Sequence, residues 1–75
     1  MPKQSMSIST EYITLDAFLK WAGVADTGGY AKTLIASGTV KVNGEQELRR
    51  GRKLRAGDTV DVPGAGSWVI AREEA

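Results

Sequence analysis

The chain is 75 residues long and 41% hydrophobic, with ten Lys and Arg against nine Asp and Glu and neither cysteine nor histidine. That length gives one small domain with a modest core. The missing residue types exclude disulfides and thiolate metal sites, and they remove the usual proton shuttle and the commonest metal ligand. Apolar runs fall far short of a membrane span, and Met1-Pro2-Lys3-Gln4-Ser5-Met6-Ser7 lacks the apolar stretch of a signal peptide, so a cytoplasmic location is expected.

Residues 1 to 10 are polar, Ser-rich and without period, and are expected to form a flexible tail ahead of a single domain over 11 to 72, with an acidic end at 73 to 75. Glu11-Tyr12-Ile13 reads as a short edge strand. Thr14 is the expected N-cap of a first helix, with Asp16 placed to meet the positive end of its dipole. Leu15, Phe18, Leu19 and Ala22 share one face of that helix, which ends at Gly23. Trp21 lies at the edge of the stripe and is expected to pack under a neighbouring segment, with base stacking as the minority reading.

Thr27 caps a second helix whose Ala31, Leu34 and Ile35 face inward and which Gly38 closes. Gly28 and Gly29 have two readings. They let the turn form and the two helices approach closely, or they leave backbone N–H groups open to a phosphate, with Lys32 one turn along.

Val40-Lys41-Val42-Asn43-Gly44 predicts a hairpin, because a type I′ turn needs φ > 0 twice and Asn-Gly tolerates this at least cost. Arg49, Arg50, Arg52, Lys53 and Arg55 then crowd into a loop before the Gly57-Asp58 turn, where Asp58 is expected to bond the turn's own backbone. Thr59-Val60-Asp61-Val62 alternates as a strand with Val60 and Val62 inward, and Trp68-Val69-Ile70-Ala71 reads as a last strand. The fold class is α+β: two short helices packed on one face of a small, mostly antiparallel sheet.

Charge is segregated along the chain. Seven cations and two carboxylates fall between positions 32 and 55, a net of +5, while the remainder carries three cations and seven carboxylates, a net of −4. This is the footprint of a polyanionic partner or of a solvated loop. Enzymatic candidates are few. Asp58 and Asp61 sit badly as a carboxylate pair, Gly64-Ala65-Gly66 lacks the third glycine and helix of a dinucleotide site, and no nucleotide-hydrolase phosphate loop occurs. A non-enzymatic binding role is expected, without cofactor, metal or small-molecule substrate. Arginine's fork suits phosphate, and four of the five loop cations are Arg. The aromatics Tyr12, Phe18, Trp21, Tyr30 and Trp68 are not interleaved with the cations in sequence, which favours structured RNA read through backbone and shape over reading of single-stranded bases.

Leu15-Asp16-Ala17-Phe18-Leu19-Lys20, then Gly28-Gly29-Tyr30-Ala31-Lys32-Thr33-Leu34-Ile35-Ala36-Ser37-Gly38-Thr39-Val40-Lys41-Val42-Asn43-Gly44, then Arg49-Arg50-Gly51-Arg52-Lys53-Leu54-Arg55-Ala56-Gly57-Asp58 resemble the S4 RNA-binding domain, in particular its small stand-alone bacterial members. The resemblance covers about positions 12 to 62. It implies an αL-type fold in which two helices and the following hairpin form the RNA surface. It also implies a structured ribosomal or transfer RNA as partner, with the ribosome or a protein as a further one. It implies phosphate contacts from Lys32, Lys41, Arg49, Arg50, Arg52, Lys53 and Arg55, a surface shaped by Asn43 and Gly44, and a helix start at Thr27, Gly28 and Gly29. Larger S4 domains carry Ser-Arg where this chain has Thr27-Gly28, so one familiar RNA-contacting arginine is missing. Val42-Asn43-Gly44-Glu45 with Leu54, Gly57-Asp58 and Val60 also resembles ubiquitin-like sulfur carriers, but the helical first half and an end of Glu73-Glu74-Ala75 in place of Gly-Gly disfavour that reading. The alternative from another class is an adaptor whose basic loop docks on an acidic protein.

Overall fold

The first helix, α1 (Leu15–Trp21), buries Leu15, Phe18 and Leu19 completely, and the second, α2 (Gly28–Ala36), buries Ala31 and Ile35, as the helical spacing requires. This computed structural model describes residues 4–73. Among the described residues seven strands accompany the helices: β1 (Gln4–Ile8), β2 (Ile13–Thr14), β3 (Lys41–Val42), β4 (Glu45–Gln46), β5 (Lys53–Leu54), β6 (Thr59–Val62) and β7 (Gly66–Arg72). Five form one sheet in the order β1-β7-β6-β3-β4, antiparallel except for the β1–β7 pair, and β2 and β5 form a separate two-stranded ribbon. Among the described residues no helix is long and apolar enough to cross a membrane.

Residues 4 to 8 are therefore a strand and not a tail. Met6 and Ile8 supply its inward face between serines, and β1 runs parallel to β7 with Gln4 opposite Trp68 and Ile8 opposite Arg72. The backbone N–H of Glu73 donates to Ile8 O at 2.7 Å, fastening the chain end to that strand. Residues 1 to 3 and the acidic end beyond Glu73 lie outside the described residues.

Register decides which face of the sheet is covered. Val42, Val60 and Trp68 are successive cross-strand partners and all are buried, while Lys41, Asp61 and Ser67, the partners one step along, look out from the opposite face. Trp68 is core: its ring meets Phe18 edge-on, with centroids 5.9 Å apart, and joins α1 to β7. Gly66 leaves room for it, because a Cβ there would press on the Trp68 ring at 3.3 Å and φ is +148°. Phe18, Leu15, Leu19, Ile35 and Leu54 are the largest fully buried side chains, each contributing about 1.5–3 kcal/mol of transfer free energy. Trp21, expected to be covered, is 51% exposed and borders a shallow groove with Ser7, Ser9, Thr10, Ile13 and Glu73.

Candidate nucleic-acid interface

The chain from β4 to β5 is held against the start of α1. Leu15 N–H donates to Arg52 O at 2.9 Å and Asp16 N–H to Arg50 O at 3.1 Å. The first N–H groups of a helix have no partner inside it, and here the carbonyls of the basic loop supply them. This explains why Thr14, although at the N-cap with an extended backbone, makes no side-chain cap bond. Asp16 accepts instead from the neighbouring Ala17 N–H at 2.8 Å.

A second clamp comes from Glu47, the one buried charged residue among those described, at 7% exposure. Its Oε2 accepts from Arg49 N–H and Arg49 Nε, both at 3.1 Å, and its Oε1 accepts from Arg52 Nη1 at 2.8 Å and Arg49 Nη2 at 3.3 Å. The Arg49 side-chain hydrogen bonds, joined by the Arg52 hydrogen bond, the Arg49 backbone N–H and the Arg49 charge, outweigh burial and bring the Glu47 carboxyl down to about 2. Two guanidinium groups share one carboxylate, so the cluster keeps a net positive charge and most of the donors on each fork stay free. The pairing aims these arginines without neutralising them. Arg49 remains 75% exposed along its side chain and Arg52 32%.

Arg49, Gly51, Arg52, Lys53 and Arg55 line one open concavity of about 540 Å³. Arg50 is exposed on the same turn but does not line it. Lys41 belongs elsewhere: it stands on the sheet face away from the helices, directly across from Asp61, whose carboxylate accepts from Ser67 Oγ. The alternation of buried Val40 and Val42 about Lys41 was the available signal for that outward position. Lys32 is exposed on α2 and is not among the residues lining the concavity.

Asn43 is occupied internally. With φ of 54° and Gly44 at 83°, the pair makes the expected tight turn, and the Asn43 amide grips the neighbouring strand. Its Nδ2 donates to Asp58 Oδ1 at 3.1 Å, and its Oδ1 accepts from Thr59 N–H at 2.9 Å. Asp58 in turn accepts from Arg55 N–H at 2.8 Å, as expected for a turn aspartate, which ties the hairpin tip to the end of the basic loop.

At the start of α2, Thr27 Oγ1 accepts from Tyr30 N–H at 3.0 Å. A Cβ on Gly28 would meet nothing within 4 Å, and one on Gly29 only Thr27 Oγ1 at 3.9 Å. Close approach of the helices is thus not what these glycines provide.

Two further residues touch the loop cations, Glu47 and Tyr12. In the sequence Glu47 is one of two carboxylates within the basic span, and its place two and five residues ahead of Arg49 and Arg52 is the signal for a loop brace. Tyr12 is not interleaved with the cations in sequence, yet its ring lies 5.0 Å from Lys53 Nζ and 5.9 Å from Arg55 Cζ.

Two helices, a tight hairpin and a braced basic loop define a small α+β domain with a preorganised cationic surface. The S4 domain family matches residues 6–70, and the chain belongs to that family. It is 49% identical over 65 residues to the probable ribosome maturation protein RlbA of Bacillus subtilis, covering 87% of this chain and 92% of that protein. It is 40% identical over 60 residues to the putative RNA-binding protein YbcJ of Escherichia coli, covering 80% and 86%. The solution structure of YbcJ, described as revealing an αL motif involved in RNA binding, matches with a TM-score of 0.70 at 33% identity, over 95% of this chain and 90% of that one.

Proposed function

We propose that this protein is a non-enzymatic RNA-binding module that holds structured RNA through its phosphate backbone. The observation that carries the reading is the common concavity of Arg49, Arg52, Lys53 and Arg55, braced from below by Glu47 and by the α1 amides. A surface fixed before binding loses little ordering entropy when it meets a phosphate. Arg50, exposed on the same turn, adds to that surface, whereas Lys32 and the exposed start of α2 at Gly28 and Gly29 are assigned a separate phosphate contact and Lys41 a minor, long-range part. Asn43 serves by shaping the hairpin. The names of the relatives support RNA as the ligand, and the ribosome maturation protein makes ribosomal RNA the first target to test, ahead of transfer RNA.

Five loop cations less the Glu47 charge correspond to about four neutralised phosphates. The logarithm of the binding constant should then fall against the logarithm of salt concentration with a slope of roughly −3 to −4, taking the duplex coefficient. Fluorescence anisotropy with a labelled ribosomal stem–loop at several salt concentrations measures this. The Arg49/Arg50/Arg52 triple alanine variant should bind weakly and with a shallow slope. Unchanged binding by that variant contradicts the site, and no binding by the wild type at low salt contradicts the function.

A further inference from the structure

Tyr12 immediately precedes β2. The antiparallel register pairs Ile13 with Leu54 and Thr14 with Lys53, so one step back sets Tyr12 opposite Arg55. Leu54 points into the core, and strand alternation puts Tyr12, Thr14, Lys53 and Arg55 together on the outer face of the ribbon. Both cations approach the ring, which stays 41% exposed, and both also line the basic concavity. Residues separated by some forty positions in the chain thus make the mixture of aromatic and cationic groups that suits an unstacked nucleotide. Trp21 and Tyr30 are more exposed, at 51% and 52%, but among the described residues neither has a cation over its ring.

We propose that Tyr12 is the stacking platform for one unpaired base of the bound RNA, with Lys53 and Arg55 holding the phosphates beside that nucleotide. This rests on the RNA-binding reading above and adds the kind of RNA to it. A cation over an exposed ring is held more weakly than a stacked base. An arriving base therefore takes the ring and releases the two cations to phosphates a short distance away. Every base has a π-face, so the platform selects for an unpaired nucleotide and not for its identity. Bases inside a continuous duplex are already stacked and cannot reach it. The ligand is a stem with a loop, bulge or overhang beside it.

The test compares a stem–loop RNA with the blunt duplex of the same stem, using the full chain and anisotropy across a salt series, with folding of each variant checked by thermal melting. Tyr12→Ala should weaken stem–loop binding at least about fivefold, with the salt slope unchanged and duplex binding unaffected. Tyr12→Phe, which keeps the ring, should bind both RNAs as the wild type does. Tyr12→Leu, which keeps apolar bulk without a π-face, should lose the same stem–loop affinity and carries the test if the alanine variant melts early. Equal loss on both RNAs with a shallower salt slope would show Tyr12 merely positioning Lys53 and Arg55, and would overturn the proposal. So would full retention of stem–loop binding by the alanine and leucine variants. Failure of the wild type to bind either RNA overturns the RNA reading itself and the platform with it.

Discussion

The two helices begin with the same local signature, a threonine in extended backbone ahead of the first turn, and are closed in opposite ways. At α2 the Thr27 hydroxyl accepts from Tyr30 N–H, and no chain segment lies within reach of a Cβ on Gly28. At α1 the threonine makes no cap bond, and the carbonyls of Arg50 and Arg52 take the amides of Leu15 and Asp16. The difference teaches that a helix start can serve as an anchor. The unmet donors of α1 hold a loop crowded with like charges, while α2 is self-sufficient and leaves its first turn to solvent.

The largest expected effect is at the other brace of that anchored loop. Glu47→Ala leaves two arginines without their shared acceptor and should cost about 1–3 kcal/mol in urea denaturation, together with weaker RNA binding despite a gain in net positive charge. A loss of affinity on adding positive charge separates an aiming role from simple attraction. The same carboxyl makes the loop acid-sensitive. Its folded pKa, about 2, lies below the ordinary 4.5, so its stabilisation is complete above pH 4.5 and is lost as pH falls toward 2. The wild-type melting temperature should drop through that window more steeply than that of Glu47→Gln, and parallel curves would refute the brace.

A smaller effect distinguishes the helix starts directly. Thr27→Ala should cost about 1 kcal/mol, the usual worth of an N-cap side chain, whereas Thr14→Ala should stay within about 0.5 kcal/mol. Equal losses in thermal denaturation would mean that the loop carbonyls do not substitute for the missing cap at α1.

Local patterns carried much of this fold. Leu15, Phe18 and Leu19 announced α1 by spacing alone, Asn43-Gly44 announced its turn by the backbone it tolerates, and Val60 and Val62 announced the inner face of β6 by alternation. What escaped depended on pairing between distant segments. Gln4–Ile8 is a strand because β7 lies beside it, and nothing within those serine-rich residues requires that partner. Trp68 became core because register sets it opposite Val60, beneath Phe18. The cationic residues themselves were legible, but their grouping was not. Lys41 departs to the far face of the sheet, Glu47 folds inward under Arg49 and Arg52, and the β2–β5 ribbon brings in Tyr12 from the other end of the chain.

The central claim is that the braced loop, and not the positive charge of the chain at large, meets the ligand. Following backbone amide resonances during titration with a ribosomal stem–loop tests it most directly. The account predicts the largest shifts at residues 49 to 55 and at Tyr12, with little change at Lys41, Asp61 and Ser67. Shifts centred on that outer sheet face, with the loop amides unmoved, would contradict it.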